Sequence, residues 1–258
     1  MTRPQQASAR TLFAAAETLD LKLPKPVEAA REQLDAVRAA VQLIPPHNLG
    51  GVATAVADAL SRGVDPLSDP GVGRAITHAA VTQPGVIDHV EAAAFMRLWE
   101  ACREHSDEIV AALRDPFDQA AATLVSAHER IGDLDLAEDS QAILRMSGDI
   151  ATTWAQAVAA EKLIETALAA WVALGRLDRD LTLDKRFAAL RLVNPGAAEF
   201  DRLKLGLSTI TPWVAVRAGL ALTLPTPAEF DDRRAVLTQE RAEIQAAAAA
   251  TPMRASYW

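Results

Sequence analysis

Apolar and small residues recur every seven positions through the middle of the chain, and no feature constrains the fold more. Ile143, Ile150, Ala157, Ile164 and Trp171 hold one place of the frame, while Met146, Thr153, Ala160, Ala167 and Leu174 hold the place three residues later. Five heptads with both places filled predict a helix presenting a continuous seam to another helix. Asp135 with Glu138 three residues on resembles a capping box at the start, and Gly175 is a residue of the kind that ends helices in the left-handed conformation. Gly148 lies inside this stretch and costs about 1 kcal/mol relative to alanine, too little to end the pattern. A helix over 136–174 would be about 58 Å long at the usual rise of about 1.5 Å per residue. A compact globule of this chain length has a radius of gyration of about 18 Å, so an elongated molecule is expected.

A second apolar stripe precedes the seam. Phe95, Trp99, Cys102, Ser106, Ile109 and Leu113 alternate spacings of four and three, and Phe117, Ala120, Leu124 and Ile131 carry the stripe past Asp115 and Pro116. A kink or restart is expected at the proline, which lacks a backbone donor and clashes with the preceding turn. The short link Gly132, Asp133, Leu134 then makes the two long helices antiparallel neighbours. The expected fold is therefore all-α: an elongated helical bundle centred on a long antiparallel hairpin over 86–175, with shorter helices over 1–85 and 176–258 packed at its ends as one continuous domain.

Punctuation divides the flanks. Val27, Ala30, Leu34, Val37, Val41 and Ile44 form one amphipathic helix between prolines. Shorter helices are expected over 49–61 and 70–82, separated by the turn-rich stretches PPHNLGG, RGVDPLSDPGVG and TQPGV. Beyond Gly175 the spacing predicts short helices over 183–193, 197–207 and 213–222. The last of these suits a short hairpin equally well, because Trp213, Val214, Val216, Leu220 and Leu222 favour strands. A final helix over 227–249 starts at Thr226 with Glu229 three residues on, and its acidic and basic residues alternate as on an exposed helix. No repeat of 20 to 50 residues is evident.

Charge and cysteine content narrow the function classes. A net charge of -8 disfavours generic affinity for nucleic acid or anionic membrane, both of which require concentrated basic residues. No stretch approaches about 20 uninterrupted apolar residues, the longest candidate, 210–224, being broken by Thr211, Pro212, Arg217 and Thr223. The opening MTRPQQASAR gives no secretory leader to expect. The single cysteine, Cys102, excludes an intramolecular disulfide and reads as a buried thiol. A cytoplasmic protein is expected. Abundant alanine and an excess of arginine over lysine point to coding in a GC-rich bacterial or bacteriophage genome.

Each candidate for chemistry has a plainer explanation. Di-iron bundles need Glu-x-x-His pairs facing inward, and no such pair occurs. Glu100 and Glu104 share a helix face, but His105 points about 100° away, so Glu100, Glu104, His105, Asp107 and Glu108 read as a solvated charged face. His47, His78, His89 and His128 are scattered. Asp231 and Asp232 resemble the paired aspartates of diphosphate-binding helices, except that Arg233 and Arg234 follow where a further acid is needed. Asp178, Asp180 and Asp184 lack the glycine and terminal glutamate of a calcium loop. PGVGR at 70–74 has the glycines of an anion-holding helix start or of a simple turn. No nucleophile elbow or phosphate loop is present. No catalytic residue, metal ligand or cofactor is assigned.

What remains is the helical surface. The seam is covered either by the preceding helix or by another chain, and the residues expected to meet a protein partner are Ile143, Ile150, Ile164 and Trp171, together with the terminal aromatics Tyr257 and Trp258. These lead to a non-enzymatic structural or assembly protein, with a bacteriophage or prophage particle as one home and self-association or a protein partner as its mode of action. The alternative is a small-molecule-binding protein or enzyme with a pocket among Trp99, His105, Trp154 and Trp171.

Overall fold

The computed structural model describes residues 3–43, 49–136, 148–179, 184–205 and 210–250. Among these the fold is all-α, with no strand and one isolated antiparallel bridge between Val193 and Leu222. The α-helices are α1 (Arg3–Thr18), α2 (Lys25–Gln42), α3 (Leu49–Ser61), α4 (Pro70–Val81), α5 (Pro84–Glu104), α6 (Ser106–Ile131), α7 (Gly148–Arg179), α8 (Ala197–Arg202), α9 (Pro212–Arg217) and α10 (Pro227–Ala250). A 3-10 helix covers Lys185–Arg191. The chain divides into two compact units, a smaller one over 24–104 and a larger one that joins α1 to the chain from His105 onward. The expected boundaries at 85 and 175 thus lie inside α5 and α7.

In the larger unit α7 is the central helix, with α1 and α6 both packed against it. The heptad reading locates its core. Thr153, Ala157, Ala160, Ile164, Ala167, Trp171 and Leu174 are buried, and Ile150 is half-buried. Ile143 and Met146 lie outside the described residues. The seam is narrower than the buried surface. Leu168, Ala170, Ala173 and Leu177 are buried as well, so the second half of α7 is enclosed on several faces. Its small side chains make that possible, because alanine lets neighbouring backbones approach.

Three expectations need correction here. Gly175 does not end the helix: it is buried, and α7 continues to Arg179. The cost of an internal glycine, about 1 kcal/mol, is outweighed by burying Trp171, Leu174 and Leu177 around it. Pro116 does not restart the chain, since α6 runs through it unbroken. Leu113, Phe117, Ala120 and Leu124 are buried on both sides of the proline and hold the two halves in line. The break comes instead at His105, between α5 and α6, where φ is -110° and ψ 23°. Asp107 and Glu108 in the first turn of α6 favour a helix start there through the helix dipole.

Helix α1 was not foreseen, yet Leu12, Phe13, Ala15 and Ala16 are buried on the face turned toward the core. In the C-terminal part, the stretch expected as a helix over 213–222 ends at Arg217. Gly219 then turns the chain with φ of 74°, and Thr223 N–H donates to the Leu192 carbonyl at 2.8 Å. The stretch is thus a short helix; no hairpin forms within it, and Leu222 makes its one bridge to Val193, outside the stretch. The capping box of α10 is present as expected: Thr226 N–H donates to Glu229 Oε2 at 2.7 Å and Glu229 N–H donates to Thr226 Oγ1 at 3.1 Å. No helix among the described residues is long and apolar enough to cross a membrane.

The smaller unit packs α2 against α5 and α3 against α4, with α4 also touching α5. Asp69 starts α4 by accepting from Gly71 N–H at 2.6 Å and Val72 N–H at 3.2 Å, and Arg62 pairs with its other oxygen at 2.8 Å. These two backbone donors, with Arg62 helping, hold the Asp69 carboxyl below its ordinary value. The aspartate lies so close that a Cβ on Gly71 would sit 2.8 Å from its Oδ1. The glycine of PGVGR therefore serves the cap, and the N-terminus of α4 is filled by the protein's own carboxylate.

Candidate functional site

The expected contact residues separate into two groups. Ile164 and Trp171 are both 0% exposed. The Trp171 indole N–H donates to the Pro225 carbonyl at 2.6 Å, and its ring meets Phe230 edge-on at 5.2 Å between centroids. This corrects their assignment as surface for another chain: α1, α6 and the start of α10 already fill the seam. Ile150 is half-buried, and Ile143, Tyr257 and Trp258 lie outside the described residues.

The residues expected around the alternative pocket are divided between the two units. Trp171 is enclosed in the core, while Trp99 stands in the smaller unit under the Arg103 guanidinium, 5.5 Å from the ring centroid. His105 pairs with Glu108 at 2.9 Å. Among the described residues no three His, Cys, Asp or Glu side chains stand together as metal ligands. Cys102 is buried, which pushes its thiol up to about 12, far from the thiolate form that nucleophilic chemistry requires.

One cleft of the larger unit carries several charges. Of about 470 Å³, it is lined by Arg114, Asp118, Glu229, Asp232 and Arg233 among others. Both guanidinium groups are turned into the fold. Arg114 Nε donates to the Leu224 carbonyl at 3.0 Å and its Nη2 binds Glu229; Arg233 donates to the Leu190 carbonyl at 2.9 Å and to Thr223 Oγ1 at 3.0 Å. Burial lowers the Arg233 value, the nearby Glu229 charge opposes that, and Arg114 adds to it. These arginines fasten the 190–193 and 223–226 connections to α6 and α10, and Asp231 of the neighbouring pair is taken up by Arg234 at 3.1 Å.

The smaller unit presents a different kind of surface. Nine of the fourteen large apolar side chains exposed among the described residues belong to it, against only five large ones, Val27, Leu34, Val72, Phe95 and Leu98, that it buries. Leu43 is 83% exposed and Leu67 92%. Isolated exposed leucines are ordinary, but apolar surface gathered along a groove marks an interaction site. A groove of about 720 Å³ runs between α2 and α4, and of the nine exposed side chains Leu43 and Val81 line it. One wall is a single face of α4, formed by Pro70, Gly73, Arg74, Thr77, His78 and Val81 at spacings of three and four; Ala40 and Leu43 at the end of α2 stand opposite. Among the described residues no carboxylate lines it. Open space surrounds the position of a Cβ on Gly73, so another backbone can approach closely there.

Sequence reasoning placed α2 and α4 correctly but did not single out this groove. The signal was available in part: Leu43, just after α2, and Val81 in α4 are apolar where the buried faces are already supplied by Leu34, Val72 and Ala79. Compared with protein-family models, curated proteins and solved structures, the chain matches none.

Proposed function

We propose that this chain is a non-enzymatic structural or assembly protein that self-associates through the helical surface of its smaller unit. The observation that supports this most strongly is the imbalance of that unit, with more large apolar side chains exposed than buried. A single core in a unit of about eighty residues supplies only about 3–5 kcal/mol, so covering the exposed set would add substantially to its stability. The groove's largely apolar lining suits a helix, the commonest element among the described residues, laid into it by its own apolar face. A particle component of a bacteriophage or prophage, made in the cytoplasm, is a setting consistent with this role and with the alanine- and arginine-rich composition.

The test is sedimentation of the chain beside a Leu43→Asp, Val81→Asp variant. Both positions are exposed, so the variant should fold, as circular dichroism will show. The wild-type chain is expected to sediment above its 27.6 kDa mass and the variant as one chain. Wild type and variant sedimenting alike as single chains would contradict self-association through this surface.

A further inference from the structure

We propose that the charged cleft lined by α6 and α10 binds a free basic amino acid of the lysine or arginine type, a class of ligand with one carboxylate and two cationic groups. Helical spacing gathers the charges there. Arg114 and Asp118 are one turn apart on α6, and Glu229 lies three and four residues before Asp232 and Arg233 on α10, so each helix brings both signs of charge to the cleft. Its volume of about 470 Å³ falls within the roughly 300–1,000 Å³ of small-molecule sites.

Two of these five charges are matched within the chain, and three are not. Arg114 binds Glu229, whose Oε2 also accepts from Thr226 N–H, so both are committed to holding the start of α10. Arg233 is different. It is half-buried, yet its two hydrogen bonds go to neutral acceptors, the Leu190 carbonyl and Thr223 Oγ1, and no carboxylate among the described residues forms an ion pair with it. A guanidinium has five N–H donors, so three remain on Arg233 after these two bonds. The two anchors fix the plane of the fork, which reduces the entropy lost when it grips a planar carboxylate. Asp118 and Asp232 are exposed, and neither carboxylate has a hydrogen bond or ion pair among the described residues.

The unmatched set is therefore one positive and two negative groups, and its complement is a small molecule with one negative and two positive groups. A free basic amino acid has that set: a carboxylate for Arg233, and an α-ammonium and a side-chain cation for the two aspartates. A simple anion would meet Asp118, Glu229 and Asp232 as like charges. A diamine would leave Arg233 unmatched.

Isothermal titration calorimetry of the full chain with L-lysine and with L-arginine tests the site. Saturable binding, one molecule per chain, is expected for at least one of them. Analogues without the carboxylate (cadaverine, agmatine) or without the side-chain charge (norleucine, citrulline) are expected to bind about tenfold or more weaker, each lacking a charge-assisted hydrogen bond. Asp118→Asn and Asp232→Asn change exposed positions, circular dichroism verifies that each variant is folded, and each is expected to weaken binding by about tenfold. Binding of neither amino acid at millimolar concentration, binding that the analogues match, or binding that either aspartate variant retains in full overturns the proposal. The site lies in the larger unit, so it stands or falls separately from self-association through the smaller one.

Discussion

Replacing Trp171 with phenylalanine tests whether the heptad seam is closed within the chain. Trp171 is wholly buried, its indole N–H satisfies the carbonyl of buried Pro225, and its edge packs on Phe230. Trp171→Phe keeps an aromatic ring against Phe230 but strands the carbonyl, a loss of about 1–3 kcal/mol. The smaller ring also leaves a void of at least methyl size, worth about 1 kcal/mol. Together these give a destabilisation of roughly 2–4 kcal/mol, against a total of about 5–15 kcal/mol for a domain. Urea unfolding followed by far-ultraviolet circular dichroism should show the larger unit's midpoint falling by roughly 1 M, with an unchanged slope. A midpoint within the shift expected for about 0.5 kcal/mol, the range of ordinary surface substitutions, would mean that Trp171 is not enclosed and that the seam faces something else.

Other perturbations follow from single features. Cys102, with its thiol pushed up to about 12, should resist an aromatic disulfide reagent at mildly alkaline pH in the native protein and react at once in denaturant; fast native reaction would place it outside the core. Gly132 ends α6 with φ of 63° and ψ of -139°, a region nearly closed to other residues, so Gly132→Ala should lower stability by about 1–3 kcal/mol in a denaturant titration. The Asp69 carboxyl lies below its ordinary value of 3.8. Because the folded value is the depressed one, its contribution is fully present above the unfolded value and disappears as pH falls through the folded value. The stability difference between wild type and Asp69→Asn should therefore be constant above about pH 5 and shrink below about pH 4, and a difference that does not depend on pH would remove the cap's electrostatic role.

The sequence was most legible where local chemistry and packing agree. Leu49–Ser61 and Pro70–Val81 are punctuated by prolines and glycines at their borders, and the Thr226–Glu229 box fixes the start of α10. The seam from Thr153 to Leu174 was legible as well, because a face packed by other helices must repeat with the helical period. Helix α1 was obscure since its first residues, RPQQASAR, are mostly polar or small and its large apolar side chains are confined to Leu12 and Phe13. Gly175 and Pro116 misled for a common reason: both are local breakers, and burial on either side outweighed them. At His105 no breaker was present, and only the acidic residues that follow it favoured a new helix.

The groove was harder to read than any helix. A periodic apolar residue looks the same in sequence whether its face turns to the core or to a cleft, and Val72 and Val81 belong to one helix with opposite fates. Only the packing of α3 and α5 against α4 decides which is covered. Contact residues assigned from the seam were drawn to the strongest periodicity, which is where the chain buries its own side chains. The weaker apolar positions were the ones left for a partner.

The most direct test of the central claim is the absolute mass of the unmodified chain by light scattering, over a dilution series at low and high salt. Association through an apolar groove should give masses above 27.6 kDa that fall on dilution and change only modestly with salt, because apolar burial dominates. A mass of 27.6 kDa at every concentration and salt would contradict the claim that the exposed apolar surface of the smaller unit joins copies of this chain.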